Sequence, residues 1–310
     1  MDDAKLDMHD NSKLFNDFLV IDWSANSTPK TGKDSIWWCY LKSSSDGVVE
    51  EQIKNPATRH KAIEQVTNIL KSYSDSRRRI LVGFDFAYAY PNGFADHFSN
   101  KKTRQWKSVW RYLSEHIRDD AKNHNNRFIV ASEINQHYFN NAPPYWGCPS
   151  SKVTEYLSMK KPRGDLAEKL PEFRLVEQGN STHSAWKLFY NGSVGGQVLL
   201  GLPYLYKLII DPCLTNISKV WPFDTGLKDL TEDDLQGCGI LHAEIYPSLI
   251  PVRPEPSEVK DRAQVRQLAH HFAGLDEKGE LSKLFSGRSS LSDEERSVVE
   301  NEEGWILGVV

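Results

Sequence analysis

The chain has 310 residues, enough to bury a full core as one large domain or as a domain carrying a sizeable insertion. Its 38 basic and 42 acidic side chains leave a formal charge of −4, so no global field marks it for nucleic acid or membrane, and any such surface must be local. Its apolar stretches fall far short of the roughly 20 residues needed to span a bilayer.

The N-terminus is polar and acidic and lacks the basic and apolar regions of a signal peptide. Cys39, Cys148, Cys213 and Cys238 are widely spaced, without a C-x-x-C pair. Together these features predict a reduced protein of the cytoplasm rather than a disulfide frame or a zinc site.

Phe18-Leu19-Val20-Ile21 runs into Asp22 and predicts a strand buried on both faces. An aromatic-rich strand over 35–41 follows, then a turn at Ser43-Ser44-Ser45-Asp46-Gly47 and a returning hairpin strand over 48–53. Ala62, Ile63, Val66, Ile69 and Leu70 place an amphipathic helix over about 58–70. Ile80-Leu81-Val82-Gly83-Phe84 then forms a second buried strand that ends in an aspartate, Asp85. Two hairpin reversals and a helical crossover make the first and fourth strands parallel. In a 3-2-1-4 order Asp22 and Asp85 share one sheet edge, the edge where ligands bind in open α/β sheets.

The texture changes from 95 to 190. A helix is predicted over 101–120 and a strand over 127–134, followed by a loop-rich stretch containing Ala142-Pro143-Pro144-Tyr145-Trp146-Gly147-Cys148-Pro149 and Lys160-Lys161-Pro162-Arg163-Gly164. This reads as an insertion on the sheet. Gly192-Ser193-Val194-Gly195-Gly196-Gln197 opens an apolar helix to about 210, with Pro203 expected to kink it. Strands are predicted over 219–223 and 240–246, and a helix over 258–273. The domain plan is therefore a polar tail (1–16), a core (17–94 and 191–275), an insertion (95–190) and a C-terminal extension (276–310).

Paired carboxylates at one strand edge suit a divalent metal, Mg2+ or Mn2+, and hence phosphoryl transfer. The competing explanation is that each aspartate shapes the loop after it. Asp261 lies on one helical face with Val265, Leu268 and Phe272, where an acid needs a partner, a metal or the rim; simple complementation of the helix dipole is the alternative. Glu244 alternates with Leu241, Ala243 and Ile245 on a central strand, and is either a further site acid or a satisfied buried group. His242-Ala243-Glu244 lacks the downstream P-C-x-x-C of zinc deaminases, which excludes that chemistry.

Ser193 and Gln197, in the glycine-rich helix start, are candidates for binding phosphate, although close packing explains the glycines equally well. Arg104, Lys107 and Arg111 share a helical face able to follow a phosphate backbone, with a solvated surface as the alternative; Trp106 and Trp110 face the core.

The order of strands, hairpin and crossover resembles the ribonuclease H-like fold. Ile21-Asp22-Trp23-Ser24, Gly83-Phe84-Asp85-Phe86, Tyr145-Trp146-Gly147-Cys148-Pro149, Val220-Trp221-Pro222-Phe223-Asp224-Thr225-Gly226, Ala243-Glu244-Ile245-Tyr246-Pro247, Lys260-Asp261-Arg262-Ala263-Gln264-Val265 and Glu303-Gly304-Trp305-Ile306-Leu307-Gly308 are similar to segments of one uncharacterised family of that fold. Its bacterial members are often labelled molybdopterin-guanine dinucleotide biosynthesis proteins, but no Walker lysine or dinucleotide fingerprint accompanies that label here. The resemblance implies an acidic site of Asp22, Asp85 and Asp261, with Glu244 on a strand where many nucleases use a helical acid, and brings Ser24 beside the first aspartate. The expected function is a metal-dependent phosphodiester hydrolase, first of all a nuclease, with nucleic acid or a nucleotide as partner. A nucleotide-binding phosphotransferase or ATPase, and a non-catalytic scaffold, are the alternatives.

Overall fold

The computed structural model describes residues 13–44, 47–74, 76–99, 105–139, 144–162, 170–179 and 183–310. The N-terminal tail to residue 12, the turn centre Ser45-Asp46, the stretch 101–104 with Arg104, and Ala142, Pro143, Arg163 and Gly164 lie outside the described residues.

Six strands form one mixed sheet: β1 (Asp17–Asp22), β2 (Trp37–Ser44), β3 (Gly47–Lys54), β4 (Ile80–Phe84), β5 (Ser218–Val220) and β6 (Ile240–Glu244). Their order is β3-β2-β1-β4-β6-β5. β2 runs antiparallel to β1 and β3, whereas β1, β4, β6 and β5 are mutually parallel. The expected 3-2-1-4 arrangement is present, extended by two parallel strands. Pairing of β1 with β4 runs to Ile21↔Phe84, which leaves Asp22 and Asp85 level, one step on. The Asp85 amide donates to the Ile21 carbonyl at 3.2 Å.

Alternation along the strands builds two cores. Leu19 and Ile21 point into a cluster with α1 (Arg59–Lys71), α2 (Gln105–His116) and α4 (Gly195–Ile209), while Phe18 and Val20 point to the opposite face. There α5 (Lys260–Glu277) contributes Val265, Leu268 and Phe272, and the C-terminal segment adds Phe285, Trp305 and Leu307. Each such side chain contributes about 1.5–3 kcal/mol by leaving water. Burial on both faces is why β1 and β4 are continuous apolar runs. Gly83 is set by close approach, since a Cβ there would lie 2.5 Å from Ile245 Cγ2.

Trp106, Trp110, Tyr145 and Trp186, from the expected insertion, share a single hydrophobic cluster with β1 and β4. The C-terminal extension also joins the sheet: Ile306 forms a parallel bridge with Glu244, and the Leu307 amide donates to the Glu244 carbonyl at 2.9 Å. Among the described residues no helix is long and apolar enough to cross a membrane. The four cysteines are free thiols.

Residues 127–134 are a helix, α3 (Arg127–Ile134), not the expected strand. Phe128-Ile129-Val130 has β propensity, but burial falls on Arg127, Val130, Ala131 and Ile134, a helical spacing that tertiary packing rewards. Helix α4 starts at Gly195 rather than 192, because Gly192 adopts φ +70° and cannot continue helical geometry. Pro203 lies inside that helix as read. The last helix, α6 (Asp293–Val298), is closed by a Ser292–Glu295 capping box.

Glu244 is fixed on the α2/α4 face of β6. Arg174 donates to both of its carboxylate oxygens at 2.7 and 2.6 Å, and the Tyr88 amide donates at 2.9 Å. The Arg174 Nε also donates to Glu177 at 3.0 Å. Arg174 is 1% exposed, so Arg174→Met would leave a buried carboxylate without its cation. Urea unfolding should show a loss of about 3–5 kcal/mol; a loss below about 1 kcal/mol would mean the pair contributes no more than a surface bridge.

Candidate functional site

The edge at the carboxyl ends of β1 and β4 carries two partly buried aspartates with raised pKa values. Both aspartates fall on the α5 side of the sheet, in phase with Val20 and Gly83. The Asp85 carboxylate accepts the Trp23 amide at 2.6 Å and is hydrogen-bonded to the Asp22 side chain. Two adjacent carboxylates cannot both ionise cheaply in a partly buried setting, so the loss of the second proton is disfavoured. Burial first, and then the Asp85 charge, raise the Asp22 pKa well above the ordinary range; Asp261 and Asp34 push the same way. Burial likewise raises Asp85, against the Trp23 amide.

Asp261, in the first turn of α5, reaches across to the loop between β1 and β2. It accepts the Asp34 amide at 2.6 Å and is bonded by the Ser35 amide as well. Burial nonetheless raises its pKa. Its role in the fold is therefore to tie α5 to this loop, which is more specific than complementing a helix dipole. Asp34, with φ +54°, is a fourth acid at the edge. Among the described residues, no group of three or more His, Cys, Asp or Glu side chains has the geometry to hold a metal ion. Asp22 and Asp85 are the pair in direct contact, and Asp261 and Asp34 act on them through their field.

The loop after β1 is held from below. Arg59, 0% exposed at the start of α1, donates to the carbonyls of Ser24 and Asn26 at 2.9 and 2.8 Å. Gln197 Nε2 donates to the Trp23 carbonyl at 2.6 Å, which links α4 to the residue following Asp22. Between this loop and the start of α4 opens a cavity of about 1030 Å³, whose lining includes Ser24, Asp34, Arg127, Gly192, Ser193 and Gln197. The glycines of this segment have packing reasons of their own: a Cβ on Gly195 would meet the Ala185 carbonyl oxygen at 2.2 Å.

Asp22, Asp85 and Asp261 thus gather at one edge, and Ser24, Ser193 and Gln197 gather at the neighbouring cavity. Glu244 does not join them, because strand alternation turns it to the opposite face, onto Arg174. Lys107, half-buried, lies 5.9 Å over the Trp106 ring, and Arg111 is exposed on α2. That helix is anchored elsewhere: Trp110 donates to the Tyr88 carbonyl at 2.6 Å, and Trp106 stacks on Phe223 at 4.5 Å. Both tryptophans are core, as expected.

Sequence reasoning missed Asp34, Arg59 and Arg127. Asp34 follows Lys33 in a polar loop with no periodicity to mark it. Arg127 becomes visible only once 127–134 is recognised as a helix, since its burial follows the helical spacing. The chain matches none of the family models, curated proteins or solved structures with which it was compared.

The raised carboxyl pKa values have a signed consequence for stability. The folded state holds protons on Asp22 and Asp85 that the unfolded chain releases above a pH of about 4. Stability from this pair is therefore present at acidic pH and is lost as pH rises from that range through the raised values. Asn at position 22 keeps a donor to Asp85 and removes one charge, so Asp22→Asn should be more stable than wild type at pH 7. Urea unfolding from pH 4.5 to 7.5 should show a shallower decline in the variant; parallel profiles would refute the retained proton.

Proposed function

We propose that this protein is a metal-dependent phosphoester hydrolase of ribonuclease H-like type, related to the uncharacterised family that its motifs resemble. The observation that carries this reading is the level placement of Asp22 and Asp85 at the ends of adjacent parallel strands, with Asp261 and Asp34 adding negative field. Four acids at one edge make a site that a divalent cation would relieve of its repulsion.

Asp22 and Asp85 would hold Mg2+ or Mn2+, with Asp261 and Asp34 adding negative field from beside the pair. The ion would neutralise phosphoryl oxygens and acidify a bound water. The protein's own part is preorganisation. The Trp23 amide orients Asp85, Asp261 fixes the loop carrying Asp34, and Gln197 ties the cavity wall to the same loop. A cation held by Asp22 and Asp85 would displace the proton that their raised pKa values favour, so affinity should rise with pH.

A nuclease and a hydrolase or phosphotransferase of small nucleotides differ in how they hold the rest of the substrate. The cavity beside Gly192 falls at the upper end of the range for small-molecule sites, which favours a small substrate. The polymer reading requires the exposed face of α2.

Thermal melts with Mg2+ or Mn2+ should raise the wild-type midpoint by linkage, and Asp22→Asn and Asp85→Asn should each remove most of that shift. Hydrolysis of bis(p-nitrophenyl) phosphate or a nucleotide should fall by roughly 10²-fold in either variant. No metal-dependent shift in wild type, with no turnover, would leave the scaffold reading standing.

The combined Lys107→Glu and Arg111→Glu variant separates polymer from small substrate. A polynucleotide bound along α2 should dissociate more readily in the variant, with a smaller salt slope. Unchanged binding and salt slope would remove α2 from the substrate path.

A further inference from the structure

We propose that Arg127 forms a phosphate-binding subsite in the cavity beside Gly192, one that takes the phosphoryl group of a small phosphorylated molecule. The side chain is 5% exposed and lines the cavity, and its buried Nε has no hydrogen-bond partner. Its Nη1 is fixed by Ser27 Oγ at 3.1 Å and Asn125 Oδ1 at 2.8 Å, both neutral acceptors. The guanidinium rests on the Phe128 ring at 4.4 Å and has no carboxylate hydrogen-bonded to it, a costly state for a buried cation that an anion bound at the cavity it lines would offset.

The carboxylate whose field acts on Arg127, that of Asp119, is already taken. Asp119 receives two hydrogen bonds from Arg59, at 2.6 and 2.7 Å, and a third from the Tyr204 hydroxyl at 2.9 Å. Burial first, and then repulsion from Arg59, lower the Arg127 pKa to about 10, so it is still a cation at neutral pH. The remaining charges on the cavity wall are Lys30 and Asp34, which lie 3.8 Å apart and offset each other. The cavity therefore has a net positive floor.

Helix α4, 15 residues long, starts at the same wall and directs the positive end of its dipole there. Arg127 Nε lies 3.5 Å from where a Cβ on Gly196 would stand, which places the guanidinium against the helix start. Ser24 and Ser193 add hydroxyls to the lining, and Leu188, Phe189 and Tyr190 supply apolar surface for an organic body. A phosphate alone would fill a small part of the volume of about 1030 Å³. A phosphate ester fits the mixture of one cationic and one apolar wall.

This assignment concerns binding alone and holds whether or not Asp22 and Asp85 carry chemistry. The test is calorimetric titration of the full chain in EDTA with inorganic phosphate, ribose 5-phosphate, AMP and adenosine. The phosphorylated probes should bind and adenosine should not. An ester that binds more tightly than inorganic phosphate assigns the apolar wall to its organic part, and inorganic phosphate binding best would overturn the ester half of the proposal. Arg127→Gln should weaken binding at least about tenfold. Ser193→Asp places a carboxylate on the same wall without touching the Ser27 and Asn125 anchors, and should abolish binding even if Arg127→Gln fails to fold. Wild type that binds none of the phosphorylated probes, or variants that bind as wild type does, would overturn the proposal.

Discussion

Parallel pairing of β1 with β4 is the constraint on which the rest of this edge depends. Once Ile21 and Phe84 are in register, Asp22 and Asp85 must stand side by side, and two like charges in a partly buried setting must be accommodated. The protein does so with a retained proton and the Trp23 amide, while a third acid across the loop ties down Asp34 and Ser35. None of these devices removes the excess negative charge; they hold it in place.

The sheet separates two solutions to buried charge. On one face Glu244 is bound by Arg174 through two short hydrogen bonds, and Glu177 pairs with the same guanidinium, so each carboxylate has a cation against it. On the other face Asp22 and Asp85 have no ion-pair partner among the described residues, and burial with carboxylate repulsion raises their pKa values against the hydrogen bond from the Trp23 amide. Arginines divide in the same way. Arg59 is saturated by Asp119 and backbone carbonyls, whereas Arg127, close to it, keeps an open donor. A buried group that the fold satisfies contributes to structure, and one that it leaves open carries a desolvation cost. The two open features share the loop after β1, held by Arg59 and by Gln197.

The order of the first four strands, and the aspartates that end two of them, were legible in the sequence. Apolar runs, the hairpin turn and one amphipathic crossover restrict the chain to few topologies. The stripe Val265, Leu268 and Phe272 placed Asp261 on the buried side of its helix for the same reason: periodicity reports which face is covered. Tertiary structure alone decided what each polar group meets. Glu244 was read in the correct alternation, yet its partner, Arg174, comes from a loop 70 residues away that carries no periodic signal. Residues 127–134 became a helix because packing of Arg127, Val130, Ala131 and Ile134 outweighs the local β preference of Phe128-Ile129-Val130, and that outcome carried Arg127 to the cavity. Local pattern is written in neighbouring residues and can be read from them. The partners of buried charges are set by contacts distant in sequence, which only the folded chain brings together.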